Sequence, residues 1–229
     1  AAGEAAAAGD ESHAQLLQGS RAAFDRGDHR RVLAQWGALK KADLLPATHL
    51  AQVVESMQRL KRATASIVHE VREHLRQGSA QCNIAYINEL LAPLARSLDS
   101  QVVSGVVDLL PELGLRPNAA TYELLVLMHF STRSFQSVLG LWEAMQKQGV
   151  SPSARCSVAL LKTSVQTGDF DRALRLYKDM MSGAAGQPTA SAAPGHIVAQ
   201  LMELACRQGR LGEVLSELEA GRVRLTAET

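Results

Sequence analysis

The fold of this 229-residue chain is decided by residues 168–180, which run Gly168-Asp169-Phe170-Asp171-Arg172-Ala173-Leu174-Arg175-Leu176-Tyr177-Lys178-Asp179-Met180. The apolar side chains at positions 173, 176, 177 and 180 recur at the spacing of one helical face. Gly168 precedes this helix, and glycine adopts the left-handed backbone of a tight turn at little steric cost. The stretch therefore predicts a turn followed by an amphipathic helix.

A landmark of this kind, where one helix stops and another begins, recurs along the whole chain. Its positions are Gly27, Arg62, Leu98, Arg133, Gly168 and Gly209, separated by steps of 35, 36, 35, 35 and 41 residues. Prolines at positions 46, 117, 152 and 188 keep the same period, with a first step about twice the others. Such a period is the signature of repeats in which each unit buries its apolar face against its neighbours.

The period predicts an all-α fold, a right-handed α-solenoid of about six helix-turn-helix units of about 35 residues each. We place the units at about 13–47, 48–82, 84–118, 119–153, 154–189 and 195–229. Together they form a single repeat domain over residues 12–229, after a disordered or processed segment at 1–11. The long last step coincides with a loop insertion at 183–195, which is rich in Gly, Ala, Ser, Thr and Pro.

Composition excludes several classes of protein. Lysine and arginine total 24 and aspartate and glutamate 23, so a net charge of +1 disfavours a strongly basic nucleic-acid module, though not a local basic face. The three cysteines lie far apart, without the spacing of metal ligands or of a disulfide framework. The longest aliphatic run, residues 124–128, is far shorter than the ~18 residues of a membrane span. We therefore expect a soluble protein without a metal or a cofactor.

Two neighbouring units resemble the repeat of the pentatricopeptide repeat (PPR) family. Residues 120–125 are similar to the opening of that repeat, residues 142–152 to its end, and residues 168–180 to its middle. The resemblance is strongest over residues 118–182 and weaker over 16–46, 84–117 and 195–219. Over residues 48–82 it is supported only by their position within the 35-residue period. The tetratricopeptide repeat instead needs a Trp early in its unit, whereas Trp36 and Trp142 fall in second helices.

The resemblance implies binding of single-stranded RNA in mitochondria or chloroplasts. In the PPR family, one first-helix residue and one residue at the end of the same unit together recognise one base. The first-helix residues here are Leu17, Gln52, Asn88, Glu123, Val158 and Ala199. The unit-end residues are Ala47, Cys82, Asn118, Ser153 and Thr189.

Only Asn88 with Asn118 is a usual pair for base recognition, and the resemblance associates it with a pyrimidine. Ser153 is acceptable at its position, whereas Glu123 is unusual and its charge opposes phosphate. Arg155 stands where the family usually has an aliphatic residue, but a guanidinium can stack on a base or contact phosphate. The RNA-binding candidates are Asn88, Asn118, Gln52, Glu123, Ser153, Arg155, Arg96, Arg133 and Lys162.

Phosphate contacts have to supply most of the affinity, because one good base contact contributes only ~1–3 kcal/mol. The candidates are basic residues near the ends of first helices: Arg59, Lys61, Arg62, Arg96, Arg133, Lys162 and Arg207. The alternative interpretation is that these are ordinary solvated charges at helix ends.

No catalytic site is predicted, so we expect a protein that is not an enzyme. His69 and His74 are five residues apart, about 140° around a helix, whereas a zinc-protease motif needs both on one face. The sequence contains neither a Gly-x-Ser-x-Gly elbow nor a phosphate loop. Two functions remain. One is RNA binding in organelle RNA processing, stability or translation. The other is a non-catalytic scaffold subunit of an organellar complex, for example a mitochondrial ribosome, that binds protein or structured RNA.

Overall fold

The structure, a computed structural model, describes residues 2–40, 44–181 and 195–220, and the side chains of residues 13–218 within those ranges. Twelve helices and no strand lie in this part of the chain. The chain divides into two compact units, Ala1–Pro117 (unit 1) and Asn118–Thr229 (unit 2). The prediction of an all-α fold is confirmed.

Unit 1 contains three helix pairs. The helices are α1 (Ala2–Asp25), α2 (His29–Leu39), α3 (Ala47–Arg59), α4 (Thr64–Gln77), α5 (Ile84–Arg96) and α6 (Ser100–Val107). The first helices of the pairs pack in succession, α1 on α3 and α3 on α5, and the second helix α4 packs on α6. Leu39, Leu50, Leu75 and Leu90 are fully buried between them, so each pair covers the apolar face of the next.

Unit 2 repeats the same plan. Its helices are α7 (Ala119–Ser131), α8 (Phe135–Lys147), α9 (Ala154–Gln166), α10 (Phe170–Met181), α11 (Gly195–Arg207) and α12 (Leu211–Ala220). The predicted stripe of α10 packs into the core, with Ala173, Leu176 and Tyr177 buried and Met180 partly buried. Trp142 is buried in the same core, as Trp36 is in unit 1, so both rings contribute to packing between helices.

Each turn within a helix pair contains one residue with a left-handed backbone. These residues are Gly27, Lys61, Leu98, Arg133, Gly168 and Gly209, with φ between 55° and 75°. The next N–H typically bonds back to a carbonyl five residues earlier, as from Asp169 N to Ser164 O at 2.9 Å, which closes the helix end. Five of the six landmarks are these residues, but in the second pair the turn residue is Lys61 and not Arg62.

Two expectations about chain segments need comment. The disordered or processed segment over residues 1–11 stays a prediction; residues 2–11 belong to α1, and alanine, which dominates them, is the best helix former. Residues 183–194 of the expected loop insertion lie outside the described residues, and Gly195 begins α11. The single repeat domain over 12–229 stays a prediction. None of the described helices has the length and apolar content that crossing a membrane requires.

Candidate nucleic-acid interface

Four of the first-helix candidates occupy the same position within their helices. Asn88, Glu123, Val158 and Ala199 are each the fifth residue of their helices, α5, α7, α9 and α11, and each lies ten residues before the left-handed turn residue. By the same measure the equivalent residue of α3 is Ala51, which is buried. Gln52 is therefore one residue out of phase, although it is half-buried and its carboxamide oxygen has no hydrogen-bond partner among the described residues.

The unit-end candidates cap the N-termini of the following helices. Asn118 caps α7, and its Oδ1 accepts the Thr121 N–H at 3.1 Å. Ser153 caps α9, and its Oγ accepts the Cys156 N–H at 3.2 Å. Asparagine and serine are preferred at this position because their side chains satisfy an N–H that the helix leaves unpaired. Helix capping therefore explains these two residue types without any RNA.

Sequence reasoning missed one unit-end residue. Asn83 caps α5, and its Oδ1 accepts the Tyr86 N–H at 2.9 Å, so it is the equivalent of Asn118 and Ser153. The predicted residue, Cys82, lies one position earlier and is buried, and that burial raises the pKa of its thiol. An asparagine directly before the apolar helix was the signal available in the sequence. Ala47 is the first residue of α3, and Thr189 lies outside the described residues.

Unit 2 brings one predicted pair of base-recognition residues together. Ser153 Oγ donates a hydrogen bond of 2.5 Å to Glu123 Oε2. Arg155 Nη1 lies 3.7 Å from Glu123 Oε1, and the Arg155 side chain is 78% exposed where that of Glu123 is 26% exposed. Cys156 lies beneath, fully buried, and burial together with the Glu123 charge raises the pKa of its thiol to about 12. The result is a half-buried carboxylate joined to a hydroxyl and an exposed guanidinium.

The remaining candidates lie apart from this cluster. Asn88 is half-buried on α5 in unit 1, and Asn118 is the first residue of unit 2, so their predicted pairing stays a prediction. Arg96 is exposed at the end of α5 and Arg133 is exposed in the turn after α7, whereas Lys162 is half-buried on α9. The described residues place no carboxylate within ion-pair distance of any of these three cations.

The two histidines of α4 occupy different environments. His69 is exposed, whereas His74 is buried and its Nε2 accepts the Leu45 N–H at 3.1 Å. The ring of His74 also meets the Trp36 ring edge-to-face, with centroids 5.2 Å apart. Within the described part of the chain, no group of three or more His, Cys, Asp or Glu side chains is placed to hold a metal ion.

Comparison with known proteins identifies the architecture. No family model and no curated protein matches the chain. The crystal structure of the PPR domain of Arabidopsis thaliana protein-only RNase P 1, in complex with tRNA, is 17% identical with a TM-score of 0.51, over 80% of this chain and 94% of that chain.

The crystal structures of maize PPR10 have lower TM-scores to this chain. Its crystal structure is 21% identical with a TM-score of 0.48, over 93% of this chain and 30% of that chain. The structure of PPR10 with an 18-nt psaJ RNA element is 18% identical with a TM-score of 0.42, over 92% of this chain and 35% of that chain. This chain thus spans about a third of PPR10.

Three observations agree with one another. The helices form repeated pairs, each inner turn contains one residue with a left-handed backbone, and the fold is similar to that of the Arabidopsis domain. The chain is a helical-repeat protein with a PPR-like fold.

Proposed function

We propose that this protein binds single-stranded RNA through the first helices of its repeats and acts in organelle RNA processing, stability or translation. The contact between Glu123 and Ser153 carries the proposal. Recognition of one base by two side chains requires a first-helix residue and a unit-end residue to lie side by side, and Ser153 Oγ lies 2.5 Å from Glu123. The likeness of the fold to a PPR domain crystallised with tRNA supports RNA as the ligand, and both the single-stranded form and the organelle setting rest on the PPR resemblance.

Base recognition supplies only part of the binding free energy. Four residues have no side-chain group that hydrogen-bonds a base, although they lie ten residues before the left-handed turn residue as Asn88 and Glu123 do: Leu17, Ala51, Val158 and Ala199. Since a good contact contributes ~1–3 kcal/mol, the polar positions need support from phosphate contacts. We therefore expect modest sequence preference and strong salt dependence.

Binding of a randomised single-stranded RNA pool at two salt concentrations, with sequencing of the retained RNA, tests the proposal. A base preference that Asn88→Ala abolishes supports it. Gln136→Ala is the matched control, because Gln136 is an exposed amide on the second helix α8, and it should leave the preference unchanged. If the wild-type protein retains no RNA at low salt, the proposal is wrong.

The alternative function is a scaffold subunit that binds protein or structured RNA within an organellar complex. The four apolar side chains at base-recognition positions favour it, because apolar residues at such positions suit contact by shape better than recognition of base edges. Retention of RNA without any base preference, unaffected by Asn88→Ala, supports this alternative.

A further inference from the structure

The three inner turns of unit 1 lie along one edge. The turn between α1 and α2 contacts the end of α3, since His29 Nδ1 and Ser56 Oγ are 3.1 Å apart. The end of α3 contacts the turn between α5 and α6, where Gln58 Nε2 donates to Asp99 Oδ2 at 2.8 Å. We call the residues 26–31, 59–62 and 96–99 the inner-turn edge of unit 1.

This edge concentrates positive charge. It carries seven cations: Arg26, Arg30, Arg31, Arg59, Lys61, Arg62 and Arg96. All seven are exposed, and only Arg59 has a carboxylate within ion-pair distance among the described residues, Glu55 at 3.3 Å. Elsewhere in unit 1, Lys40, Arg72 and Arg76 pair with Glu70 and Glu112 at 2.9–3.3 Å. Six of the seven cations of the edge therefore form no ion pair within the described part of unit 1.

The carboxylates of the edge are engaged in helix capping. Asp28 Oδ1 accepts the Arg31 N–H at 3.1 Å, and Asp99 Oδ1 accepts the Val102 N–H at 3.1 Å. A carboxylate held on backbone N–H groups compensates the helix dipole rather than a neighbouring guanidinium. The helix α4 also begins at this edge, and its N-cap residue Ala63 supplies no capping side chain, so the positive end of the α4 dipole adds to the potential of the edge.

We propose that the inner-turn edge of unit 1 binds the phosphodiester backbone of single-stranded RNA without regard to sequence. The proposal rests on the proposed function and adds to it a surface distinct from the base-recognition residues. Cations from three successive turns form a row, with steps of about the 8–10 Å that separate packed helices. A row of exposed cations suits a flexible polyanion, whose binding releases condensed counterions. Leu60 and Leu98, exposed by 38% and 45%, lie in the same turns and offer aliphatic surface to bases.

Salt dependence of RNA binding tests the proposal with the full chain. The probe is a fluorescent oligouridylate, which presents a uniform backbone. The variants are Arg30→Gln with Arg31→Gln, and Lys61→Gln with Arg62→Gln. At about 0.7 counterions released per phosphate contact on a single strand, each double variant should lower the slope of log affinity against log salt by about 1.4. The control is Lys147→Gln with Arg175→Gln, two exposed cations on second helices of unit 2, which should leave the slope unchanged.

Three other results overturn the proposal in distinguishable ways. If wild-type protein binds the probe and both edge variants keep its slope, the edge is not used, while the proposed function survives. If wild-type protein binds no RNA, both the role of the edge and the proposed function are wrong. If the edge variants lose binding to vesicles that contain phosphatidylserine but keep binding to RNA, the edge faces an anionic membrane instead. Unchanged thermal unfolding of each variant shows that the fold is intact.

Discussion

Ser153 Oγ donates a 2.5 Å hydrogen bond to the carboxylate of Glu123, a residue thirty positions earlier in the chain. This contact joins the end of one repeat to the first helix of the same repeat. It also places a negative charge where RNA is proposed to bind, and Arg155 at 3.7 Å from Glu123 compensates that charge only in part. We therefore expect Glu123 to limit the affinity for RNA of the surface that it helps to form.

Replacing this carboxylate should strengthen RNA binding. In Glu123→Gln the amide oxygen still accepts from Ser153, while Arg155 loses its carboxylate and is released toward phosphate. Removing one charge at about 8 Å from a phosphate in water amounts to about 0.5 kcal/mol, or a twofold gain in affinity. The salt slope should become steeper by about 0.7. Fluorescence anisotropy with a single-stranded RNA measures both.

Glu143→Gln is the matched control for the Glu123 variant. It removes the same charge from the second helix α8 and deprives an arginine of one carboxylate, because Arg172 lies 3.1 Å from Glu143 and keeps Asp169 at 3.3 Å. An equal gain in both variants indicates a net-charge effect, and weaker binding by Glu123→Gln contradicts the placement of RNA at this residue.

Much of the architecture follows from the sequence because the repeats obey local rules. A period of helix pairs is visible wherever glycine marks the inner turn, as at Gly27, Gly168 and Gly209, since glycine favours the left-handed backbone found there. Lys61 adopts the same backbone, with φ 55°, without any such signal. The period of 35–36 residues indicates its neighbour Arg62 instead, and this shift of one residue gives Gln52 in place of Ala51.

The candidate site is less accessible to sequence reasoning. The pairing of position 123 with position 153 follows from the resemblance, but a hydrogen bond between them depends on how the two helices pack. The inner-turn edge of unit 1 is hidden as well, because cations at positions 30, 61 and 96 become neighbours only when the turns align. The use of Asp28 and Asp99 as caps decides which charges are compensated, and the near-neutral composition cannot show this.

Helix α6 should not tolerate a side chain at Gly105. A Cβ there would lie 2.4 Å from Cγ2 of Val68 on α4, and β-branched Val68 has few rotamers with which to move away. Gly105→Ala should lower the free energy of unfolding by about 1–3 kcal/mol. Gly37→Ala is the control, because nothing lies within 4 Å of its Cβ, and helix propensity should stabilise it by about 0.5–1 kcal/mol. Urea unfolding compares the two, and partial rescue of Gly105→Ala by Val68→Ala identifies the clash.

Arg172 should contribute to the packing of α10 on α8. Its guanidinium lies 5.2 Å from the centroid of the Trp142 ring and pairs with Glu143 at 3.1 Å. Arg172→Met keeps the aliphatic stem but removes the ring contact, the Glu143 pair and a second ion pair, with Asp169 at 3.3 Å, so the free energy of unfolding should fall by about 1 kcal/mol. Arg175→Met, an exposed residue of the same helix, should change it little. Equal stability of the two variants in urea would show that the ring contact contributes nothing.

Protonation of His74 should destabilise unit 1 in mild acid. Burial lowers the pKa of His74 from its ordinary 6.5 to about 4, because the buried neutral ring accepts the Leu45 N–H. Between pH 6.5 and pH 4 the unfolded chain therefore binds a proton that the folded protein excludes, so stability falls as the pH falls through this window. From pH 7.5 to pH 5, His74 alone should lower the free energy of unfolding by about 2 kcal/mol. Burial also lowers the pKa of His49 and of His129, which adds to the same trend.

A comparison of two histidine variants isolates this contribution. His74→Gln removes the titrating ring, so urea unfolding should show lower stability at pH 7.5 but a loss toward pH 5 that is smaller by about 2 kcal/mol. Hydrogen bonds from Trp36 and Lys40 lower the pKa of Glu70 from its ordinary 4.5 despite its burial, so the contribution of Glu70 is lost mainly as the pH falls below 4.5, outside the range from pH 7.5 to pH 5. His69→Gln, an exposed position of the same helix, should keep the wild-type pH dependence. The same pH dependence in His74→Gln as in the wild-type protein would show that the buried ring does not couple folding to protonation.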